Sequence, residues 1–141
     1  MRVVAALALL AERDAALRQL IALALKNAGY DVRQCSNVLQ LKAELYSSPI
    51  VTTETALLVL NVELAAQCAI ELATLARVRA NARASRARFL FMCEFGGLKQ
   101  FTSSGIDDSQ VVGVLEKPFD LDELERLART CQPDRQNGRV G

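Results

Sequence analysis

The residues with chemistry to offer stand at the ends of apolar runs. Glu12 and Arg13 follow "VVAALALLA", Asn61 closes "TALLVLN", Cys93 and Glu94 follow "RFLFM", and Glu116 and Lys117 follow "VVGVL". Arg13 and Lys117 could together bind an anion. Cys93 could sense oxidants if Lys117 lowered its pKa. The favoured reading of a small thiol after an apolar run is inert packing. The chain has no histidine, the commonest general base. Its four cysteines (Cys35, Cys68, Cys93 and Cys131) form no CxxC pair, and a zinc site would need all four thiolates from widely spaced positions. No metal site is expected, and the thiols read as reduced, cytoplasmic ones. No nucleophile is matched to a base partner, so no enzyme is expected.

A second cluster is "RVRANARASRAR", with Arg77, Arg79, Arg83, Arg86 and Arg88 and no acid. It could dock an acidic protein, RNA or phosphate groups. A solvated helix end and loop is the favoured reading, since cations suit a helix C-terminus. No aromatic residue interleaves with the arginines, so base stacking is unsupported and a nucleic-acid partner is not expected. The formal net charge of +1 exerts no bulk pull toward nucleic acid or membrane. The apolar opening is too short to span a bilayer and lacks a signal-peptide cleavage pattern.

The elements that must position these residues follow from periodicity. At 141 residues, half of them hydrophobic, the chain supports one domain with a proper core. Strand-length apolar runs alternate with helical patterns. Strands are expected over Val3–Leu10, Tyr30–Cys35, Ala56–Val62, Arg88–Cys93 and Val111–Leu115. Helices are expected over Asp14–Ala28, stopped by Gly29, over Val38–Tyr46, capped by Ser36 or Asn37, and over Leu64–Ala80. Gly96–Ser104 is a weak fourth helix, with two glycines at its start. Asp120 and Glu123 form a capping box for the last helix, whose stripe is Leu121, Leu124 and Leu127. Five βα units imply an α/β fold, a doubly wound five-stranded parallel sheet with helices on both faces. Sites in such sheets lie at the carboxyl ends of the strands, where all the polar residues named first would fall. The domain is expected over residues 1–131, with 132–141 a polar tail or linker.

Three stretches, in order and at the right spacing, resemble the receiver domain of bacterial response regulators, a flavodoxin-like (βα)5 fold related to chemotaxis regulators. They are "LALLAERDAALRQLIALALKNAGYDV", "ALLVLNVEL" and "VLEKPFDLDELERLAR". The resemblance spans about Arg2 to Cys131 and implies two-component phosphorelay chemistry, phosphoryl transfer from a histidine kinase to an aspartate. That chemistry uses a nucleophilic carboxylate, an acidic pair that holds Mg²⁺, a hydroxyl and a lysine. The acceptor position falls on Asn61, the acidic pair on Glu12 and Arg13, the hydroxyl position on Cys93, and the lysine on Lys117. The Asp-Gly step after the acceptor falls on Cys68 and Ala69, and the aromatic switch on Val114. The Lys-Pro bond that is usually cis in the family falls on Lys117–Pro118.

These departures imply a degenerate pseudo-receiver. An amide cannot replace a carboxylate nucleophile. Glu12, Arg13, Asn61 and Lys117 sum to about +1, so no Mg²⁺ or other cofactor is expected. Arg13 is expected to pair with Glu12, Glu63 or Glu94, and Lys117 to bond Asn61 or Glu94. One amide alone could mark a single substitution, whereas the joint loss of acid, hydroxyl, loop glycine and switch marks divergence. The implied function is a phosphorylation-independent protein–protein interaction module. It would meet a protein partner or a second copy through the fourth helix, fifth strand and last helix. A sensor of anions or small metabolites, using the pocket around Arg13 and Lys117, is the alternative.

Overall fold

The computed structural model describes residues 6–46, 56–79, 87–97, 106 and 108–132. Its elements in chain order are β1 (Ala6–Ala11), α1 (Ala15–Asn27), β2 (Tyr30–Cys35), α2 (Val38–Leu45), β3 (Ala56–Asn61), α3 (Val62–Ala66), α4 (Ala69–Arg79), β4 (Arg88–Cys93), β5 (Val111–Glu116) and α5 (Leu121–Thr130). The five strands form one parallel sheet in the order β2-β1-β3-β4-β5. The expected doubly wound α/β architecture is therefore present.

Strand alternation sends side chains into two cores. Leu9, Leu58, Leu60, Phe89 and Phe91 pack beneath α2, α3 and α4. Leu10, Leu57, Val59, Leu90 and Met92 pack beneath α1 and α5. The central strand β3 is buried from Leu57 onward, which explains its unbroken apolar run. Parallel register then aligns the strand ends. Ala11 lies opposite both Cys35 and Leu60, Asn61 opposite Met92, and Cys93 opposite Glu116.

Local capping follows the expected residues. The side chain of Asp14 accepts the Leu17 N–H at 3.1 Å, and that of Asn37 accepts the Gln40 N–H at 2.8 Å. Gly29, at φ +100°, turns the chain after α1. Asp120 caps the last helix by accepting the N–H of Asp122 at 2.9 Å, but the expected capping box is not closed, because the Glu123 side chain pairs with Arg126 at 3.8 Å instead.

Two expectations need correction. Residues 3–5 of the expected first strand lie outside the described residues, and β1 extends one residue further, to Ala11. The expected third helix, Leu64–Ala80, is two helices. Asn61 caps α3 directly, and Gln67 and Cys68 tighten its end with bonds from their N–H groups to Leu64 and Ala65 carbonyls at 3.2 and 3.0 Å. Cys68 is fully buried, and Ala80 lies outside the described residues. Gln132, one residue past the expected domain boundary, donates from Nε2 to the Ala28 carbonyl at 2.6 Å. Of the Gly96–Ser104 helix, residues 98–104 lie outside the described residues, as do residues 133–141 of the tail.

Candidate functional site

The strand ends converge on Glu12. It follows β1 directly, its N–H donates to the Cys35 carbonyl at 3.1 Å, and it is 2% exposed. Such a buried carboxylate needs partners, and among the described residues it has three. Lys117 Nζ donates to its Oε1 at 2.7 Å, Asn61 Nδ2 to the same oxygen at 3.3 Å, and the Asp14 N–H to its Oε2 at 3.0 Å. Arg18 donates to the Glu12 carbonyl at 2.9 Å and the Arg13 carbonyl at 3.4 Å, which fixes the loop backbone. Nothing in the pattern around Arg18 signals this role.

Asn61 does two jobs. Its Nδ2 serves Glu12, and its Oδ1 accepts the Glu63 N–H at 2.8 Å, capping α3. It is the last residue of β3 and the first boundary of the next helix, which explains a polar stop after a buried run. Lys117 bridges Glu12 and Glu94, the latter at 3.1 Å. Its own N–H donates to the Cys93 carbonyl at 2.8 Å, and the Lys117–Pro118 bond is cis. Burial opposes the Lys117 charge, but its hydrogen bonds to the two carboxylates and their negative charge outweigh that. The net effect holds its pKa above the ordinary 10.5.

The loop after β4 is pinned beside this network. The Gly96 N–H donates to Glu116 Oε2 at 2.6 Å, and the Gly97 N–H to the Glu94 carbonyl at 2.8 Å. Asp14, Leu17, Glu94, Phe95, Lys117, Pro118 and Phe119 line an adjoining cleft of about 430 Å³.

The structure thus brings together Glu12, Asn61 and Lys117, with Glu94 beside them. Arg13 stands apart. It is exposed, and among the described residues it forms no ion pair, so the expected pairing with Glu12, Glu63 or Glu94 is not made. Lys117 reaches Glu12 first and leaves Arg13 without a partner there. Lys117 bonds Glu94 as expected and meets Asn61 through Glu12. Cys93 is fully buried at the end of β4. Burial, then the charges of Glu116 and Glu94, raise its pKa and outweigh the opposite pull of Lys117. The condition for a Cys93 sensor, a lowered pKa, is therefore not met.

Val114 is half-buried in β5 opposite Phe91. Ala69 opens α4, so helix stands where a glycine turn was the family expectation. Of the arginine run, Arg77 is exposed on α4, and alternation puts Arg88 on the α1/α5 side of the sheet. The two therefore belong to opposite layers. Arg83 and Arg86 lie outside the described residues, as does the Arg79 side chain. Sequence reasoning missed Gln110, buried at the other end of the sheet. Its Nε2 donates to the Ala76 carbonyl at 3.2 Å and the Ala87 carbonyl at 3.4 Å, tying α4 to the start of β4. Among the described residues, no group of three or more His, Cys, Asp or Glu side chains could hold a metal ion. Nor is any helix among the described residues long and apolar enough to cross a membrane.

A parallel sheet of this order, with its polar residues gathered at the carboxyl ends, defines the class of the fold, and solved structures agree. The CheY-like response regulator receiver domain protein from Methanospirillum hungatei is similar over 98% of this chain and 100% of its own, at TM-score 0.64 and 15% identity. A response regulator receiver domain protein from Bacillus halodurans matches 93% of this chain and 100% of its own, at TM-score 0.64 and 18% identity. NtrX from Brucella abortus, in its complex with ADP, matches 97% of this chain at TM-score 0.63 and 19% identity. The chain spans only 29% of the NtrX chain. No protein-family description and no curated relative matches it. The fold is the receiver fold that the three motifs implied.

Proposed function

We propose that the chain is an atypical receiver domain that works in signal transduction as a phosphorylation-independent protein–protein interaction module. One observation carries this reading. Asn61, at the position where the resemblance puts the acceptor, has both ends of its amide engaged, one by Glu12 and one by the Glu63 N–H. An amide in that position is not a phosphoryl acceptor. Glu12, the remaining acid of the metal pair, is engaged at both oxygens, one of them by the Lys117 ammonium. A divalent cation would have to displace that ammonium, so no Mg²⁺ is expected to bind here. On this reading the domain is not an enzyme, resides in the cytoplasm and takes no nucleic acid. Its partner, a different protein or a second copy, meets the face that β5 and α5 contribute; the expected fourth helix of that face, Gly96–Ser104, lies mostly outside the described residues. β5 is an edge strand on which Val111, Val112 and Val114 are half-buried.

Incubation with acetyl phosphate and Mg²⁺ followed by intact-mass measurement tests the central statement. The expected mass is unchanged. A gain of one phosphoryl group on Asn61 or a neighbouring carboxylate overturns it. The alternative, an anion sensor, would require Lys117 to leave two carboxylates. A thermal-shift series with phosphate, sulfate and nucleotides should therefore show no stabilisation.

A further inference from the structure

The cleft beside Lys117 has walls and charges that the buried network does not use. Leu17, Phe95, Pro118 and Phe119 form its apolar walls, and Asp14, Glu94 and Lys117 are its charged residues among those described. Its volume of about 430 Å³ lies in the range of small-molecule sites, roughly 300–1,000 Å³. Phe95 is 83% exposed, yet the turn that carries it is held from both sides. The Gly96 N–H donates to Glu116 Oε2 at 2.6 Å, the Gly97 N–H donates to the Glu94 carbonyl at 2.8 Å, and Gly96 adopts φ +84°. A ring fixed in solvent contributes little to the core and is free to cover a ligand. Lys117 has no capacity left for an anion, because Glu12 and Glu94 take its ammonium at 2.7 and 3.1 Å. The acids do keep capacity. Asp14 uses Oδ1 for the Leu17 N–H, and Glu94 uses Oε2 for Lys117. The second oxygen of each has no hydrogen-bond partner among the described residues. Arg18 directs its Nη1 to the Glu12 and Arg13 carbonyls, and Arg13 is exposed outside the cleft lining. Around the cleft, Asp14, Glu94 and the buried Glu12 therefore set three negative charges against the one of Lys117.

We propose that this cleft binds a small organic cation, an ammonium group carried on an apolar or aromatic body. The ammonium lies against Asp14 and Glu94, where a phosphate or carboxylate would meet repulsion. The body lies among Leu17, Phe95, Pro118 and Phe119, whose rings favour a nearby cation as well as apolar contact. A hard metal ion does not suit the same place, because it needs a full shell of oxygen ligands and most of the lining is apolar. The inference does not depend on the chemistry of Asn61, which does not line the cleft.

Amide NMR titration of the 141-residue protein with phenethylamine, 2-phenylethanol and phenylacetate tests it. The probes share one ring and differ in charge at neutral pH. The amine is expected to give saturating shifts at Phe95, Gly96 and Gly97, and to bind about tenfold tighter than the alcohol. Phenylacetate should give no saturating shift. D14N removes a charge but keeps the helix cap, since asparagine caps as well as aspartate, and it should weaken amine binding about threefold. F95L removes the ring at an exposed position and should weaken it by about as much. The unchanged amide spectrum away from the cleft should confirm that both variants fold. An amine that gives no saturating shift up to about 20 mM overturns the proposal. An alcohol or phenylacetate that binds as tightly as the amine overturns it too. So does amine binding indifferent to both D14N and F95L, which would place the amine elsewhere.

Discussion

Glu12 lies 2% exposed and Lys117 has a side chain 14% exposed, so each compensates a charge that water does not. Removing one partner of such a pair costs far more than the pair contributes net, because the other charge stays buried alone. Lys117→Ala is therefore expected to destabilise the domain by about 3 kcal/mol, measured by urea unfolding. The double variant Glu12→Gln with Lys117→Met should lose clearly less than the sum of the two single changes. An additive result would show that the two side chains do not share one network. The sequence made each of these residues a candidate from its place after an apolar run. It did not reveal that Lys117, rather than the adjacent Arg13, neutralises Glu12. The partners are 105 positions apart, and only strand order brings them within 2.7 Å.

Element boundaries depend on a few residues that act locally. Asp14, Asn37 and Asp120 cap their helices through side-chain oxygens that lie within three residues of the N–H they accept, so these boundaries were legible. Gly29 was legible as a stop, but its second constraint was not. At φ +100° an added Cβ would lie 2.8 Å from Nε2 of Gln132, which comes from the far end of the chain. Gly29→Ala should lower stability by about 1–2 kcal/mol. Adding Gln132→Ala should recover only the contact part and leave the backbone part, as read from thermal unfolding. Full recovery would place the whole cost in the contact. The break between α3 and α4 was not legible, since Leu64 to Ala80 is continuous in helix-forming residues. The break arises because Asn61 starts α3 at the sheet and Cys68 must be buried beneath it.

Several groups across the molecule bias its stability in one direction of pH. Burial, followed by the charges of Glu44 and Cys68, pushes the Cys35 thiol up from 9.0 to about 12. Burial also raises Cys68, Cys93 and Cys131, and Lys117 is held above 10.5 by its carboxylates. Each group keeps its proton longer in the folded chain than in the unfolded one. The stability they contribute is complete below pH 9.0, the ordinary thiol value, and is lost as pH rises through the folded values toward about 12. The melting temperature should thus be flat up to about pH 8.5 and fall steadily above it. A melting temperature that rises between pH 9 and 11 would contradict the burial of these thiols.

By itself the sequence determined the alternation of strands and helices, most of their caps, the α/β class and the amide of Asn61 at the end of β3. Such features are written within a few residues of one another, through periodicity and side chains that reach their own backbone. Tertiary structure decided the rest. It chose which cation meets Glu12, left Arg13 in solvent, raised the Cys93 pKa through burial and two carboxylates, and gathered Leu17, Phe95 and Phe119 around one cleft. These outcomes depend on how distant segments are ordered in the sheet, and that order is set by the packing of two cores at once, which no local pattern encodes.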